Sequence, residues 1–306
     1  MSEFEDLEVL AEGLSLPEGP VALADGSVIV GEIGSGALSR VFPDGRIVRV
    51  AYTGGGPNGV ARGPDGAFFV CNNGGVPGGP LGTAGIQRVD IETGAVEMMY
   101  ETCDGVPFVG PNDIVVDEIG NFWFTDYKLG SIYYGTADGN SVRLMWDRLD
   151  SPNGIGLSPD NRILYSSQTH TRQVVRRHIS SPGELVPSRN YDLKAFDEFG
   201  EVNPDVLLAG LSGGQELDSL AIDGNGAVCV ATLIETGINV IGADGVVQEK
   251  LTLPADRAEE LDCRTLTNIC FGGDDLRTAF ITLSHGGRLI SCRWPVPGLR
   301  LNFQEG

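Results

Sequence analysis

Apolar and polar positions alternate in short runs along the whole chain, and turn residues separate the runs. In "GPNDIVVDEIGNFWFTD", from Gly110, one apolar run meets an Asp/Glu/Gly/Asn turn and a second apolar run follows at once. The runs are too short for helices and their period is two, so the predicted elements are β-strands joined by tight hairpins. The same unit recurs six times. It begins as "LPEGPVALADGSVIVGE" at Leu16, "GPNGVARGPDGAFFVCN" at Gly56 and "GPNDIVVDEIGNFWFTD" at Gly110. It returns as "SPNGIGLSPDNRILYSS" at Ser151, "ELDSLAIDGNGAVCVAT" at Glu216 and "LTNICFGGDDLRTAFIT" at Leu266.

Each copy continues into a third strand, as in residues 36–42, 85–91, 130–136 and 287–294. Most add a fourth, as in 46–52 and 95–101. Asp-Gly pairs such as Asp44-Gly45, Asp138-Gly139 and Asp244-Gly245 supply the φ > 0 residues that tight hairpins need. Four antiparallel strands in each of six units predict an all-β, six-bladed β-propeller occupying residues 1–306 as one domain. The sixth copy shows three clear strands, and the N-terminal "LEVLAEG" has no partner of its own. This strand is therefore predicted to complete the last blade and close the ring, which removes an open edge. Residues 180–215 are longer than the other connections. They are expected to hold the outer strand of the fourth blade plus an excursion, either an elaborated loop or a wall of the pocket.

Composition fits this picture. With 44 Gly and 17 Pro among 306 residues, the chain has the turn residues that many short strands require. A net charge of −21 repels phosphate backbones and anionic membranes, so neither nucleic acid nor a membrane is an expected partner. The expected partner is a small-molecule substrate, and the expected assembly a monomer or small homo-oligomer. Six Cys (Cys71, Cys103, Cys229, Cys263, Cys270 and Cys292) form no CxxC pair and no zinc spacing, so they read as free thiols, several inside apolar runs. The acidic N-terminus lacks the apolar core of a signal peptide, and no apolar run is long enough to span a bilayer. A reducing cytoplasm is the expected location.

The candidate chemistry comes from the repeat. Aligning the copies on the turn before their first strand superimposes Glu18, Asn58, Asn112, Asn153, Asp218 and Asn268. All six carry side-chain oxygens, and equivalent positions of a propeller ring its axis. One Asn at a turn means little. Six oxygen-bearing residues out of six, two of them carboxylates, point to a hard cation that relieves their repulsion. The only histidines are His170, His178 and His285, too few for a His-rich zinc site. His178 is placed near the end of a surface strand. His170 and His285 follow second strands of their blades and are candidates for the pocket mouth, with Asn72, Asn73, Phe108, Tyr127 and Gln168. Two apparent motifs are set aside. "GLSGG" at 210–214 matches GxSxG but lacks the strand-turn-helix context that would make Ser212 a nucleophile. "DGNG" at 223–226 has Ile234 where a calcium loop needs its twelfth-position Glu, and reads as a hairpin turn.

With these residues aligned, the chain resembles the family of senescence marker protein, gluconolactonase and luciferin-regenerating enzyme. The segments "LPEGP", "GPNDIVVDEIGNFWFTD", "SPNGIGLSPDNRILYSS", "LDSLAIDGNGAVCVAT" and "TNICFGGDDLRTAFIT" carry the resemblance over nearly the whole chain. The resemblance implies a six-bladed propeller with one axial divalent ion. Ca2+ is the first expectation, with Mg2+, Mn2+ or Zn2+ as alternatives. It also implies the ligands Glu18, Asn112, Asn153 and Asp218, and Asp218 as general base in a lactone hydrolase. Asn58 and Asn268 are then left for substrate. Three departures point away from a heavily hydroxylated sugar lactone. Gly110 stands where an Arg is frequent, Leu217-Asp218-Ser219 replaces Pro-Asp-Gly, and Gln168 replaces an Asp. A lyase, aldolase or isomerase acting on a metal-polarised carbonyl is the alternative enzyme, and a binding platform with a structural ion is the alternative without catalysis.

Overall fold

The computed structural model describes residues 2–187, 206–258, 260–261 and 265–304. Six antiparallel sheets follow one another along the chain. Blade 1 consists of Pro17–Ala22, Val28–Glu32, Ala37–Val41 and Ile47–Tyr52, from the inner strand outward. Blade 2 is Pro57–Arg62, Phe68–Asn72, Gly85–Val89 and Val96–Tyr100, and blade 3 is Pro111–Val116, Phe122–Asp126, Ser131–Gly135 and Val142–Trp146. Blade 4 takes Pro152–Leu157, Ile163–Gln168 and Gln173–Ser181, with Leu207–Gly210 paired outside the last of these. The predicted outer strand of the 180–215 segment is therefore present. A small hairpin through Glu184–Leu185 also extends from it. The remainder of that excursion, 188–205, and Cys263 lie outside the described residues.

Blade 5 is Gln215–Ile222, Val228–Ile234, Gly237–Ile241 and Val247–Thr252. Blade 6 is Leu266–Gly272, Thr278–Leu283 and Arg288–Arg293, and its fourth strand is Glu5–Glu12 from the N-terminus. The predicted closure is thus observed. Ser2–Glu3 goes further and pairs in parallel with Val247–Thr252 of blade 5, so the N-terminal segment ties the last two blades together.

The core explains why the strands alternate so strictly. Buried side chains fall into six clusters, one at each contact between neighbouring blades. Phe122 and Phe124 pack toward blade 2, whereas Trp123 between them packs toward blade 4. Successive residues of one strand therefore serve two different cores, as the period-two geometry dictates.

The channel along the axis ends on the side away from the aligned polar turns. There Leu299 N–H donates to Ile222 O at 3.0 Å, and Asn302 Nδ2 donates to Val116 O at 3.0 Å and to Asn161 Oδ1 at 2.9 Å. Arg62 Nη1 donates to Phe303 O and Gln304 Nε2 to Phe271 O, each at 2.9 Å. Residues 299–304 thus lie across that end, bonded to blades 2 through 6. They floor a cavity of about 120 Å³ lined mainly by aliphatic side chains of the inner strands. Among the described residues no helix is long and apolar enough to cross a membrane.

Candidate metal centre and active site

Every inner strand is irregular where its aligned polar residue stands. The register shifts between Glu18 and Val21, Pro57 and Val60, Pro111 and Ile114, Pro152 and Ile155, Leu217 and Leu220, and Leu266 and Asn268. A β-bulge of this kind re-aims a side chain and leaves a backbone group without its ladder partner. Here it occurs at the axial end of each blade, where the Pro or Leu pairs with the end of the second strand.

Two devices draw the bulges together. The first is the small residue that follows the polar one. Gly19 has φ +54°, and a Cβ there would lie 2.3 Å from Asn58 O of the next blade. A Cβ on Gly154 would meet Leu220 N at 2.6 Å. The second is a hydroxyl on the second strand. Thr125 Oγ1 accepts from the bulged Asp113 N–H at 3.0 Å and donates to Asn153 O of blade 4 at 2.7 Å. Ser167 Oγ repeats this, accepting from Gly154 N–H at 2.8 Å and donating to Asp218 O of blade 5 at 2.5 Å. Each hydroxyl satisfies the orphaned amide and fixes the next ring residue.

The neighbouring position on the second strand holds the turn ahead of the bulge. Glu32 Oε2 accepts from Ser15 N–H at 2.7 Å, and Asn72 Oδ1 from Gly56 N–H at 3.0 Å. Asp126 accepts from Val109 and Gly110 N–H at 2.9 and 3.0 Å, and Gln168 Oε1 from Asp150 N–H at 2.7 Å. Gln168 and Asn72, expected at the mouth, are buried members of this set.

Glu18, Asn58, Asn153, Asp218 and Asn268 are buried, and Asn112 is partly buried. Asn268 Nδ2 donates to Glu18 Oε2 at 2.9 Å, while its Oδ1 accepts from Ile269 N–H at 2.8 Å. The Asn268 amide is therefore engaged in orienting Glu18. Asn153 Nδ2 donates to Thr169 Oγ1 at 3.3 Å and its Oδ1 accepts from Ser219 Oγ at 3.4 Å. Burial raises the Glu18 carboxyl above its ordinary value. Asp218 is pushed well above the usual carboxylate range by burial and then by the charge of Glu18. Asp113, whose Oδ2 accepts from Ile155 N–H of blade 4 at 3.3 Å, is pushed up to about 7 chiefly by its burial. Among the described residues, no cationic side chain offsets these three acidic groups.

A divalent ion fits these residues. The Asn112 Oδ1 atom is buried and has no hydrogen-bond partner among the described residues. An orphaned amide oxygen is costly. The aligned turns of the other blades carry the Glu18 and Asp218 carboxylates, which repel one another, and further amides, so the set as a whole offers the oxygen donors that hard cations prefer. Among the described residues no three His, Cys, Asp or Glu side chains cluster as metal ligands, so amide oxygens are needed to complete a shell.

The other expected mouth residues are distributed unevenly. Tyr127 and His170 meet, with Tyr127 Oη 3.2 Å from His170 Nε2, and His170 Nδ1 lies 3.7 Å from Glu216. His285 is exposed beyond the second strand of blade 6, and His178 is exposed within Gln173–Ser181. Asn73 Oδ1 accepts from Gly75 N–H at 2.9 Å and shapes a turn. Phe108 is buried edge-on against Phe124 and Tyr133 in the core between blades 2 and 3, directly after a small hairpin in which Thr102–Cys103 pairs with Val106–Pro107. Asp113, Thr125, Ser167 and Glu216 escaped the sequence reading. A small residue one place before the end of five of the six second strands was the available signal: Gly31, Cys71, Thr125, Ser167 and Thr282 occupy that place. The five described cysteines are buried and unpaired.

The fold and its polar ring define a class that comparison with known proteins identifies. The chain belongs to the SMP-30/gluconolactonase/LRE-like family, whose pattern matches residues 16–285. It is 26% identical to a gluconolactonase from Zymomonas mobilis over 91% of this chain and 79% of that one. Its fold superimposes on a gluconolactonase from Xanthomonas campestris with a TM-score of 0.74 at 23% identity, covering 94% of this chain and 89% of that one. A calcium-binding regucalcin from Agrobacterium tumefaciens gives a TM-score of 0.72 at 20% identity, covering 98% and 99%.

Proposed function

We propose that this protein is a divalent-metal-dependent lactone hydrolase, with Glu18, Asn112, Asn153 and Asp218 holding the ion and Asp218 as general base. The observation that carries the metal site is the pair of buried, mutually repelling carboxylates Glu18 and Asp218, supported by the Asn112 Oδ1 on the equivalent turn of blade 3, which has no partner among the described residues. The lactone reading rests on relatives named gluconolactonase and lactonase drp35. Ca2+ is the first choice of ion, since the donors are all oxygen and a regucalcin shares the fold. A bound divalent ion supplies the positive charge that stabilises a carbonyl oxygen as it becomes an oxyanion.

The protein's own groups do the rest. Asp218 accepts a proton from the attacking water as its oxygen bonds to the carbonyl carbon, and returns it to the ring oxygen as the C–O bond breaks. Burial keeps bulk water from screening that carboxyl and raises its basicity. Asn268 holds Glu18 in place. With Asn112 assigned to the ion and Asn268 to Glu18, the buried Asn58 is the ring amide we assign to the substrate. At the rim, Tyr127 and His170 present a hydroxyl and a ring nitrogen.

The test is hydrolysis of a lactone panel in ¹⁸O-water by the wild type and Asp218→Asn. One label per acid product, with turnover reduced about 10²–10⁴-fold in the variant, is expected of a lost general base. Turnover without label would assign the site to lyase or isomerase chemistry instead.

A further inference from the structure

The chain carries three lysines among its 21 Lys and Arg residues, in a protein of net charge −21. One of them, Lys128, stands in the turn after Phe122–Asp126, at the end of blade 3 that carries Asn112. Its backbone N–H donates to Asp126 Oδ1 at 3.1 Å. Its stem lies flat over Gly110, where an added Cβ would meet Lys128 Cγ at 3.1 Å and Cδ at 3.3 Å. A side chain at 110 would thus compete with Lys128 for the space two residues ahead of Asn112.

Most other cations are committed. Arg40, Arg88, Arg143, Arg288 and Arg293 pair with Asp25, Asp65, Glu184, Glu12 and Asp275. Near the same end of the molecule, Arg172 donates to Gly213 O and Lys250 Nζ to Glu235 O. Among the described residues, the Lys128 ammonium has no hydrogen bond, ion pair or ring partner, a condition it shares with Arg300 on the far side of the channel. The residue before it, Tyr127, has its hydroxyl 3.2 Å from His170 Nε2.

We infer that Lys128 is a specificity residue at the mouth, and that it receives an anionic substituent of the substrate, a carboxylate or sulfonate carried on the lactone. The inference rests on the lactone reading above. A charge-assisted hydrogen bond needs an acceptor with fixed charge, which a neutral hydroxylated lactone lacks. The stem is already laid against Gly110, so less side-chain freedom is lost on binding than for a lysine in open solvent. In so acidic a protein, an anionic substrate approaches against the overall field and needs a local cation to be held.

The experiment compares the holoenzyme with Lys128→Met and Lys128→Arg on matched lactones that differ only in carrying a carboxylate or the neutral carboxamide. Lys128→Met is expected to lower the anionic-to-neutral ratio of kcat/KM about tenfold through KM, the size of one charge-assisted hydrogen bond. Lys128→Arg should restore most of it, and added salt should erode the wild-type ratio. A ratio that Lys128→Met leaves unmoved overturns the proposal, and so does an equal effect on both substrates, which would tie Lys128 to the carboxylate every lactone releases. Binding of the corresponding lactams reads the same ratio without turnover. If no lactone is hydrolysed but lactam selectivity follows Lys128, the reaction assigned above falls and the role of Lys128 stands.

Discussion

At the scale of the residue, the site consists of polar groups that a stable fold would avoid. Asn112 Oδ1 is buried without a partner among the described residues, and Asp218 and Glu18 raise one another's cost of ionisation. A buried polar atom left unsatisfied costs about 1–3 kcal/mol. Asn112→Ala removes that atom, so in cation-free protein its melting temperature should hold or rise. Its affinity for a divalent ion should fall about tenfold or more, since one of the four proposed protein ligands is gone. Thermal melts with and without Ca2+ check both parts. The six ring residues were legible because the repeat aligned them; no single Asn would have been. Gln168 and Phe108 were not legible as buried groups. Their burial depends on which neighbouring backbone they meet, Asp150 N–H in one case and the Phe124 and Tyr133 rings in the other.

At the scale of the element, the strands could be read from their period and the hairpins from their Asp-Gly and Gly-Asn turns. The closing role of Glu5–Glu12 could also be read, because a strand short of a partner and a blade short of a strand complete one another. The bulges could not, since a register shift leaves no mark on the alternation of apolar residues. The hydroxyl stitches were hidden for the same reason: Thr125 reads as an ordinary strand threonine until its Oγ1 is seen between Asp113 N–H and Asn153 O. Thr125→Val keeps the shape and deletes both bonds. It should destabilise the fold by about 1–3 kcal/mol, the cost of stranding a buried amide, measured by urea denaturation. It should also weaken ion binding, because the backbone that carries Asn153 loses its anchor.

At the scale of the molecule, six blade-to-blade cores and a tail across the far end of the channel frame the propeller, and the buried acidic groups are gathered at the other end of the axis. The sign of its pH dependence follows. Glu18, Asp113 and Asp218 all titrate above their unfolded values, with Asp113 at about 7. The ion-free fold binds more protons than the unfolded chain between the unfolded carboxyl range and these raised values. Its stability is therefore greatest at low pH within that window and falls as pH rises through about 7. The proposed divalent ion would bind the ionised carboxylates in competition with those protons, so its affinity should rise over the same interval. The most direct measurement is a titration of chelator-stripped protein with Ca2+ at pH 6 and pH 8, following heat and lactone turnover together. One site per chain, tighter at pH 8, with turnover appearing in step with occupancy, is the predicted result. Undiminished turnover in the stripped protein would contradict it.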